Sequence, residues 1–316
     1  MAGKLRVVRR RIRSVQSTKK ITRAMELIAA SRIVRAQQRV EAARPYADQI
    51  GGVIANLAAG GAATDSPLLR PLGDIQRVGY VVVTSDRGLA GGYNANVIRA
   101  AETHLRSQVE AGRQYVLVTV GRKALGYFRY RRYDIRATYT GMSDLPSYED
   151  ARQVVGEVMR LFESGELDVV YVVYTRFLSL GTQRPTIAQL MPVERPDVTA
   201  EPGAPAAGEP VAHEPVPGEP VAAYEFEPEA GEILARLLPR AVEARMFAFM
   251  LEASASEHAA RQRAMKSATD NAEDLIKSLT RIADRARQEE ITSEIMEIVG
   301  GAEALRQPTG ASHGVE

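Results

Sequence analysis

The chain has 316 residues, 25% charged and 45% hydrophobic, with a formal net charge of +2, which predicts about two globular domains with a real core. Cysteine is absent and the four histidines lie far apart, so thiol chemistry is excluded and a histidine metal site is not expected. No apolar run approaches the roughly 20 residues needed to span a bilayer.

Positive charge is concentrated at the start of the chain. Residues 1–44 contain thirteen lysines and arginines against Glu26 and Glu41. Sixteen positions at alternating steps of three and four run from Leu5 to Leu57, and thirteen of them are apolar, the pattern of a coiled-coil seam. A continuous helix of about 55 residues would be roughly 80 Å long, with Pro45 as the expected place for a kink.

The three polar positions of this seam are consecutive and fall between Lys19 and Glu26. In the same stretch the apolar residues shift to Ile21, Met25 and Ile28. We therefore expect the apolar stripe to rotate about the helix there. Either the supercoil is locally adjusted, or this turn faces something other than its partner helix.

The last part of the chain repeats the spacing, with an alanine-rich seam from Leu234 to Ala286. Pro239 is expected to begin or bend this helix. No Gly or Pro occurs from Arg240 to Val299, which predicts about 60 helical residues, or roughly 90 Å. Two such helices most simply form an antiparallel coiled coil. The alternative, a large helical bundle, lacks any other helix of matching length.

Short β-branched and aromatic runs alternate with helical stretches in the middle of the chain. The predicted strands are Val78–Ser85, Tyr115–Gly121, Asp168–Phe177 and Arg184–Val193, and the predicted helices are Asn94–Gly112 and Tyr148–Glu163. This alternation predicts a Rossmann-like α/β domain with a mostly parallel sheet.

The segment Glu194–Glu232 has a different composition, with ten acidic residues, one arginine and frequent prolines. Such a segment cannot bury a core, so we expect an extended linker or insert, and folding back onto a basic surface is the alternative. The predicted organisation is a coiled-coil helix (1–60), an α/β domain (75–193), an acidic Pro-rich insert (194–231), a second coiled-coil helix (232–306) and a flexible tail (307–316).

The stretch TSDRGLAGGYN (residues 84–94) stands where a phosphate-binding loop would occur, after a strand and before a helix. Its glycine spacing fits neither a P-loop nor a dinucleotide fingerprint. We therefore expect a structural turn, in which glycine supplies positive φ or close backbone approach. Asn94 is expected to cap the following helix, and Asp86 and Arg87 to tie the turn together.

No residue pattern indicates catalysis, a cofactor or a metal ion. Met246, Phe247, Phe249 and Met250 form an apolar group. We expect it to pack around the lower part of the two-helix coiled coil or against the α/β domain. Two other function classes are open on the residues alone. The basic first helix could bind nucleic acid, and the α/β domain could bind a nucleotide, although the glycine spacing opposes this.

Three stretches together resemble the gamma subunit of bacterial F-type ATP synthase. They are RRRIRSVQSTKKITRAMELIAASRIVRAQ (Arg9–Gln37), TSDRGLAGGYNANVI (Thr84–Ile98) and the region SEHAARQRAMKSATDNAEDLIKSL with ARQEEITSEIMEIVGGAEAL (Ser256–Leu305). The resemblance implies a non-catalytic central stalk. Its coiled coil would sit within a hexamer of alpha and beta subunits, and its α/β domain would stand with epsilon on the c-subunit membrane ring, at the cytoplasmic face of the cell membrane.

The resemblance also implies subunit contacts, and no nucleic acid or cofactor. Proton-driven rotation would change the beta sites through unequal contacts, for which the shifted stripe offers asymmetry. The expected interface residues are Lys19, Lys20, Arg23, Met25, Arg261, Arg287, Gln288 and Thr292. Ala90 stands where many relatives have cysteine, and the cysteine insert of chloroplast forms is missing, so thiol control is excluded.

Overall fold

A computed structural model describes residues 2–59, 66–70, 72–193 and 230–306. Its elements are α1 (Ala2–Ala59), a 3-10 turn (Pro67–Leu69), β1 (Arg77–Val83), α2 (Tyr93–Glu110), β2 (Gln114–Val120), α3 (Arg122–Tyr130), β3 (Ala137–Tyr139), α4 (Tyr148–Glu163), β4 (Val169–Phe177), β5 (Gln183–Met191) and α5 (Ala230–Arg306).

The terminal helices are longer than the sequence suggested. Helix α1 has 58 residues and contains Pro45, and α5 has 77 residues and contains Pro239. Pro239 therefore does not begin α5, which starts nine residues earlier. Residues 230 and 231, assigned to the insert, belong to α5. The rest of the predicted insert (194–229) and the predicted tail (307–316) lie outside the described residues.

Two compact units divide the chain. The terminal unit comprises residues 1–27 and 264–316, and the sheet unit comprises residues 28–263. The sheet unit therefore contains the α/β domain together with the adjoining parts of α1 and α5.

The sheet unit is built on five strands in the order β3-β2-β1-β4-β5. The first four strands are parallel, and β5 pairs with β4 antiparallel. This confirms the predicted fold class of a mostly parallel sheet between two long helices. Sequence reasoning missed α3 and β3, because helices of nine residues and strands of three carry little periodicity.

Both faces of the sheet are covered, as near-continuous valine strands require. On one face Tyr80 and Val82 pack with residues of α2 and α3. On the other, Val81 and Val83 pack with α4 and with the sheet-unit parts of α1 and α5. The apolar group on α5 belongs to this second core, where Phe249 stacks on Tyr174 with ring centroids 4.5 Å apart. Its predicted packing against the α/β domain is confirmed.

In the terminal unit, α1 and α5 run antiparallel. The hydroxyl of Thr269 donates to that of Thr22 at 2.8 Å, and Lys19 Nζ lies 3.0 Å from a carboxylate oxygen of Glu273. The residue numbers rise along one helix as they fall along the other, so the helices point in opposite directions. Of these residues, Lys19, Thr22 and Thr269 are seam positions predicted from the sequence, and Glu273 lies beside its seam.

The apolar stripe leaves the buried face at this turn, as expected, and of the two alternatives the structure favours a turn whose apolar residues face away from the partner helix. Thr22 and Glu26 are buried, whereas Ile21 and Ile28 are 58% and 55% exposed. The buried face thus continues straight through the polar positions. It can do so because polar side chains of α5 meet Lys19 and Thr22 there and satisfy their hydrogen bonds.

The turn between β2 and α3 depends on one glycine. Gly121 has φ of +91°, and a Cβ at this position would lie 2.2 Å from the carbonyl oxygen of Thr84. This oxygen belongs to the main chain directly after β1, so it cannot move aside as the end of a flexible side chain could. Both the backbone conformation and the close approach therefore require glycine.

Replacing Gly121 with alanine is expected to destabilise the chain by about 3 kcal/mol or more, through strain and backbone displacement. Urea unfolding monitored by circular dichroism measures the effect. Gly126→Ala in α3 is the matched control. Its added Cβ meets open space, and alanine in a helix interior should stabilise by roughly 0.5–1 kcal/mol. Equal effects of the two substitutions would contradict the steric account.

Candidate functional site: the glycine loop and its contact with α5

The glycine loop (Thr84–Gly92) leaves β1 at the carboxyl edge of the sheet. In open α/β sheets this edge is where ligands bind, at the point where the strand order reverses. Thr84 fastens the start of the loop, because its hydroxyl donates to the carbonyl of Val120 at 3.1 Å and accepts from the N–H of Ala124 at 2.9 Å. The loop is thereby held against the β2–α3 turn.

Asp86 fills the anion position of this loop. One carboxylate oxygen accepts from the backbone N–H groups of Gly141 (2.9 Å) and Ser143 (3.2 Å), and the other accepts from the N–H of Arg122 (3.1 Å), the first residue of α3. Converging backbone donors at a helix N-terminus are what a phosphate-binding site offers. Here the chain's own carboxylate accepts these hydrogen bonds, which opposes the hypothesis that the loop binds the phosphates of a nucleotide.

These contacts also set the protonation of Asp86. Burial alone would raise the pKa of the carboxyl, but the hydrogen bonds from Gly141, Ser143 and Arg122 outweigh it, and the pKa lies below its ordinary value. Asp86 is therefore ionised at neutral pH. The predicted role of Asp86 in tying the turn together agrees with this geometry.

The loop glycines serve different purposes. Gly91 has a φ of +56°, as expected if the loop is a structural turn. Leu89, which is not a glycine, also has a positive φ, at +64°. Gly92 has an ordinary φ of −79° and occupies the N-cap position of α2. The expectation that Asn94 caps this helix is wrong. Asn94 Oδ1 instead accepts from the backbone N–H of Ser85 at 2.9 Å, which closes the loop.

Asp144 joins three elements of the sheet unit. Its carboxylate forms ion pairs with Arg32 of α1 and, at 3.8 Å, with Arg87 of the glycine loop. Its backbone carbonyl accepts from the hydroxyl of Ser254 on α5 at 3.2 Å. His258 Nε2 lies 3.3 Å from the same carbonyl. Burial lowers the pKa of His258, so the ring is neutral at neutral pH and this contact is a hydrogen bond.

A buried ion pair connects α5 to the loop itself. Arg261 donates to Glu257 Oε1 at 2.5 Å and to the carbonyl oxygen of Gly88 at 3.3 Å. Both side chains are nearly fully buried, with 9% and 1% exposed. Burial raises the pKa of Glu257, and the Arg261 charge opposes that rise. The pair therefore clamps one turn of α5 onto the glycine loop.

The arrangement supports anchoring of α5 on the glycine loop. Within the described ranges, no three histidine, aspartate or glutamate residues are placed to hold a metal ion. None of the described helices combines the length and apolarity that crossing a membrane requires.

Comparison with known proteins assigns the family. Residues 4–305 match the family model described as ATP synthase. The ATP synthase gamma chain of Frankia casuarinae is 50% identical over 313 residues, covering 98% of this chain and 100% of the relative. That of Mycolicibacterium smegmatis is 46% identical, covering 96% and 99%. The chain belongs to the ATP synthase gamma chain family. The resemblance found in the sequence is thus confirmed.

Solved structures of low sequence identity share the fold. A chain from the Euglena gracilis mitochondrial ATP synthase aligns over 100% of both chains with a TM-score of 0.65 at 16% identity. One from the Tetrahymena thermophila central stalk and c-ring aligns over 78% of this chain and 99% of its own, with a TM-score of 0.57 at 21% identity.

Four of the interface residues expected for a gamma chain lie on α1 in the terminal unit. Lys20 is exposed. Lys19 pairs with Glu273, and Arg23 donates to Glu26 at 2.9 Å. Met25 is half-buried. Lys19 and Arg23 would therefore exchange intramolecular partners if they met another subunit.

The other four lie on α5 and fall into two groups. Arg287, Gln288 and Thr292 are exposed in the terminal unit. Arg261 is buried in the sheet unit, with its guanidinium directed to Glu257 and Gly88. Its placement is that of an internal anchor. Sequence reasoning missed Glu257 as its partner, although a charged residue within an alanine-rich helix was a signal available there.

Asp86→Asn is expected to lower the free energy of unfolding by about 2 kcal/mol at pH 7, because the backbone donors lose a charged acceptor. The folded-state pKa of Asp86 is depressed, so its stabilisation is present above the ordinary value of about 4 and is lost as pH falls through the folded value. Urea unfolding across a pH series should show the difference from wild type shrinking below about pH 4. Asp134→Asn, at an exposed carboxyl, is the control and should change little; a difference independent of pH would contradict the assignment.

Arg261→Leu is expected to destabilise the chain by about 3–5 kcal/mol, because Glu257 is left as a buried charge without its counter-ion. The double variant Glu257→Leu with Arg261→Leu removes both charges and should recover much of that loss. Thermal and urea unfolding of the wild type, Arg261→Leu, Glu257→Leu and the double variant measures the coupling. A double variant less stable than either single one would show that the two residues act separately.

Proposed function

We infer that this chain is the central-stalk rotor subunit of a bacterial F-type ATP synthase, coupling proton-driven rotation of the membrane ring to ATP synthesis, or hydrolysis to the reverse rotation. The observation that carries this is the match to gamma chains along almost the whole chain, 98% of it in one relative. The antiparallel helices and the anchored loop suit a shaft. Family membership favours this function over nucleic-acid binding by the basic α1.

The terminal unit is proposed to contact the alpha and beta subunits. Beyond the seam, α5 exposes a run of apolar side chains to solvent, from Ile291 (45%) through Ile298 (72%). Apolar surface of this kind is normally covered by a partner. On α1, Ile21 points outward beside the exposed Lys20. This part of α1, which mixes isolated apolar groups with solvated charges, gives unequal contacts around the shaft without one large patch that would trap a single angle.

The sheet unit is proposed to stand on the c-subunit ring with the epsilon subunit, at the cytoplasmic face of the membrane. In this position its task is to pass torque into α5. The clamp of Glu257 and Arg261 on the loop, and the Asp144 junction to Arg32, supply directional contacts for that purpose. We propose that the catalytic sites belong to the partner subunits and that this chain contributes no catalytic residue.

Replacing Arg287 and Gln288 together with alanine is expected to lower the coupled ATPase rate and torque of the assembled complex. Both residues are exposed in the chain, so its folding should be unaffected. If these contacts stabilise the transition state of rotation by about 1 kcal/mol, their loss lowers the rate roughly fivefold. Bulk ATP hydrolysis and single-molecule rotation, with co-expressed alpha and beta subunits, measure these quantities.

Glu289→Ala is the matched control, since it removes an exposed charged side chain that directly follows the pair in sequence but faces a different direction on α5. Unchanged rate and torque in the double variant would remove Arg287 and Gln288 from the contact surface. Failure of the wild-type chain to join a hexamer with alpha and beta subunits would overturn the proposed function itself.

A further inference from the structure

A small internal cavity lies beneath the glycine loop, between the sheet and α5. Apolar residues at the ends of β1 and β2 and on α5 form part of its wall, together with five polar side chains: Thr84, Tyr93, Ser143, Ser254 and Glu257. Its free space is about that of one water molecule. Glu257 belongs both to the cavity wall and to the clamp, whereas Arg261 and Gly88 are not among the lining residues.

Glu257 presents an unsatisfied oxygen in this region. Oε1 is bound by Arg261, while Oε2 is buried and has no hydrogen-bond partner among the described residues. Glu257 as a whole is 1% exposed. A buried carboxylate oxygen without a partner is costly, so a donor within the cavity would be strongly favoured.

The surrounding hydroxyl groups have used their hydrogens elsewhere. Thr84 donates to the carbonyl of Val120, and Tyr93 donates to that of Ala253. Ser254 donates to the carbonyl of Asp144. The remaining hydroxyl, that of Ser143, accepts from the backbone N–H of Asp86 at 2.9 Å and directs its hydrogen to the Asp86 carboxylate, whose pKa it lowers. Since a hydroxyl has only one hydrogen, these side chains offer lone pairs to the cavity, and its occupant has to be a hydrogen-bond donor.

We propose that the cavity is a binding site for one water molecule, which donates a hydrogen bond to Glu257 Oε2 and a second to a neighbouring hydroxyl oxygen. Water matches the space and the excess of acceptors. A metal cation fits less well, because the Arg261 guanidinium already balances the Glu257 charge at 2.5 Å. A cation would also need more oxygen ligands than so small a space admits.

The water would keep Glu257 ionised. Burial, the largest cause, raises the pKa of Glu257 above its ordinary value, Arg261 only partly opposes the rise, and the negative charges of Asp144 and Asp86 add to it. A hydrogen bond to Oε2 favours the charged form further. An ionised Glu257 holds Arg261 in place for its bond to Gly88, so the water forms part of the joint between the loop and α5.

The first test is a crystal structure of the full chain at a resolution that reveals ordered waters, with a second crystal soaked in rubidium. The expected result is one density peak at about 2.6–3.2 Å from Glu257 Oε2, with no anomalous rubidium signal there. An empty cavity overturns the proposal, and so does an anomalous peak, which would identify a cation site.

The second test is infrared difference spectroscopy of the wild-type chain against Glu257→Gln at neutral pH. Loss of carboxylate bands is expected, because the hydrated carboxyl is ionised. Loss of the carbonyl stretch of a buried carboxylic acid would mean that Glu257 itself supplies the proton, and would overturn the proposal. Glu297→Gln, at an exposed carboxylate of the same helix, calibrates the bands. If Glu257→Gln does not fold, the wild-type crystals still decide the outcome.

Discussion

The sheet unit depends on how the middle of α5 is held. Its alanines let this helix pack closely, and hydrogen bonds such as that of Ser254 to the Asp144 carbonyl add direction to the packing. The buried pair of Glu257 and Arg261 supplies direction, because Arg261 must reach both its carboxylate and the carbonyl of Gly88. Burying such a pair costs desolvation energy. We infer that the cost is retained because it fixes one orientation of α5 on the loop.

The terminal unit applies the same physics in the seam of α1 and α5. Thr22 and Thr269 meet through their hydroxyls, and Lys19 meets Glu273. Polar pairs in a coiled-coil seam are satisfied in only one register, whereas alanines and leucines tolerate a shift. The polar turn that interrupts the apolar pattern is therefore best understood as a device for alignment, and it leaves Ile21 free to face outward.

Sequence periodicity predicted the repeating parts of the structure. The three-four seam of α1 runs from Leu5 to Leu57, and wherever the structure describes its side chains they are buried or half-buried. The central strands followed from their valine runs. The anchoring contacts could not be predicted in this way, because Asp86 binds donors 36 to 57 residues later in the chain. Gly121 was missed for the same reason, since its constraint is a carbonyl of another strand.

The loop also explains how a sheet of nucleotide-binding type can act as a mechanical part. The donors that would hold a phosphate are occupied by Asp86. In the middle of the same loop, the carbonyl oxygen of Gly88 accepts a hydrogen bond from Arg261. An internal carboxylate cannot dissociate as a bound phosphate can, so these backbone donors stay occupied without any ligand. Such internal contacts suit a part that transmits torque, because they do not depend on the binding or release of a ligand.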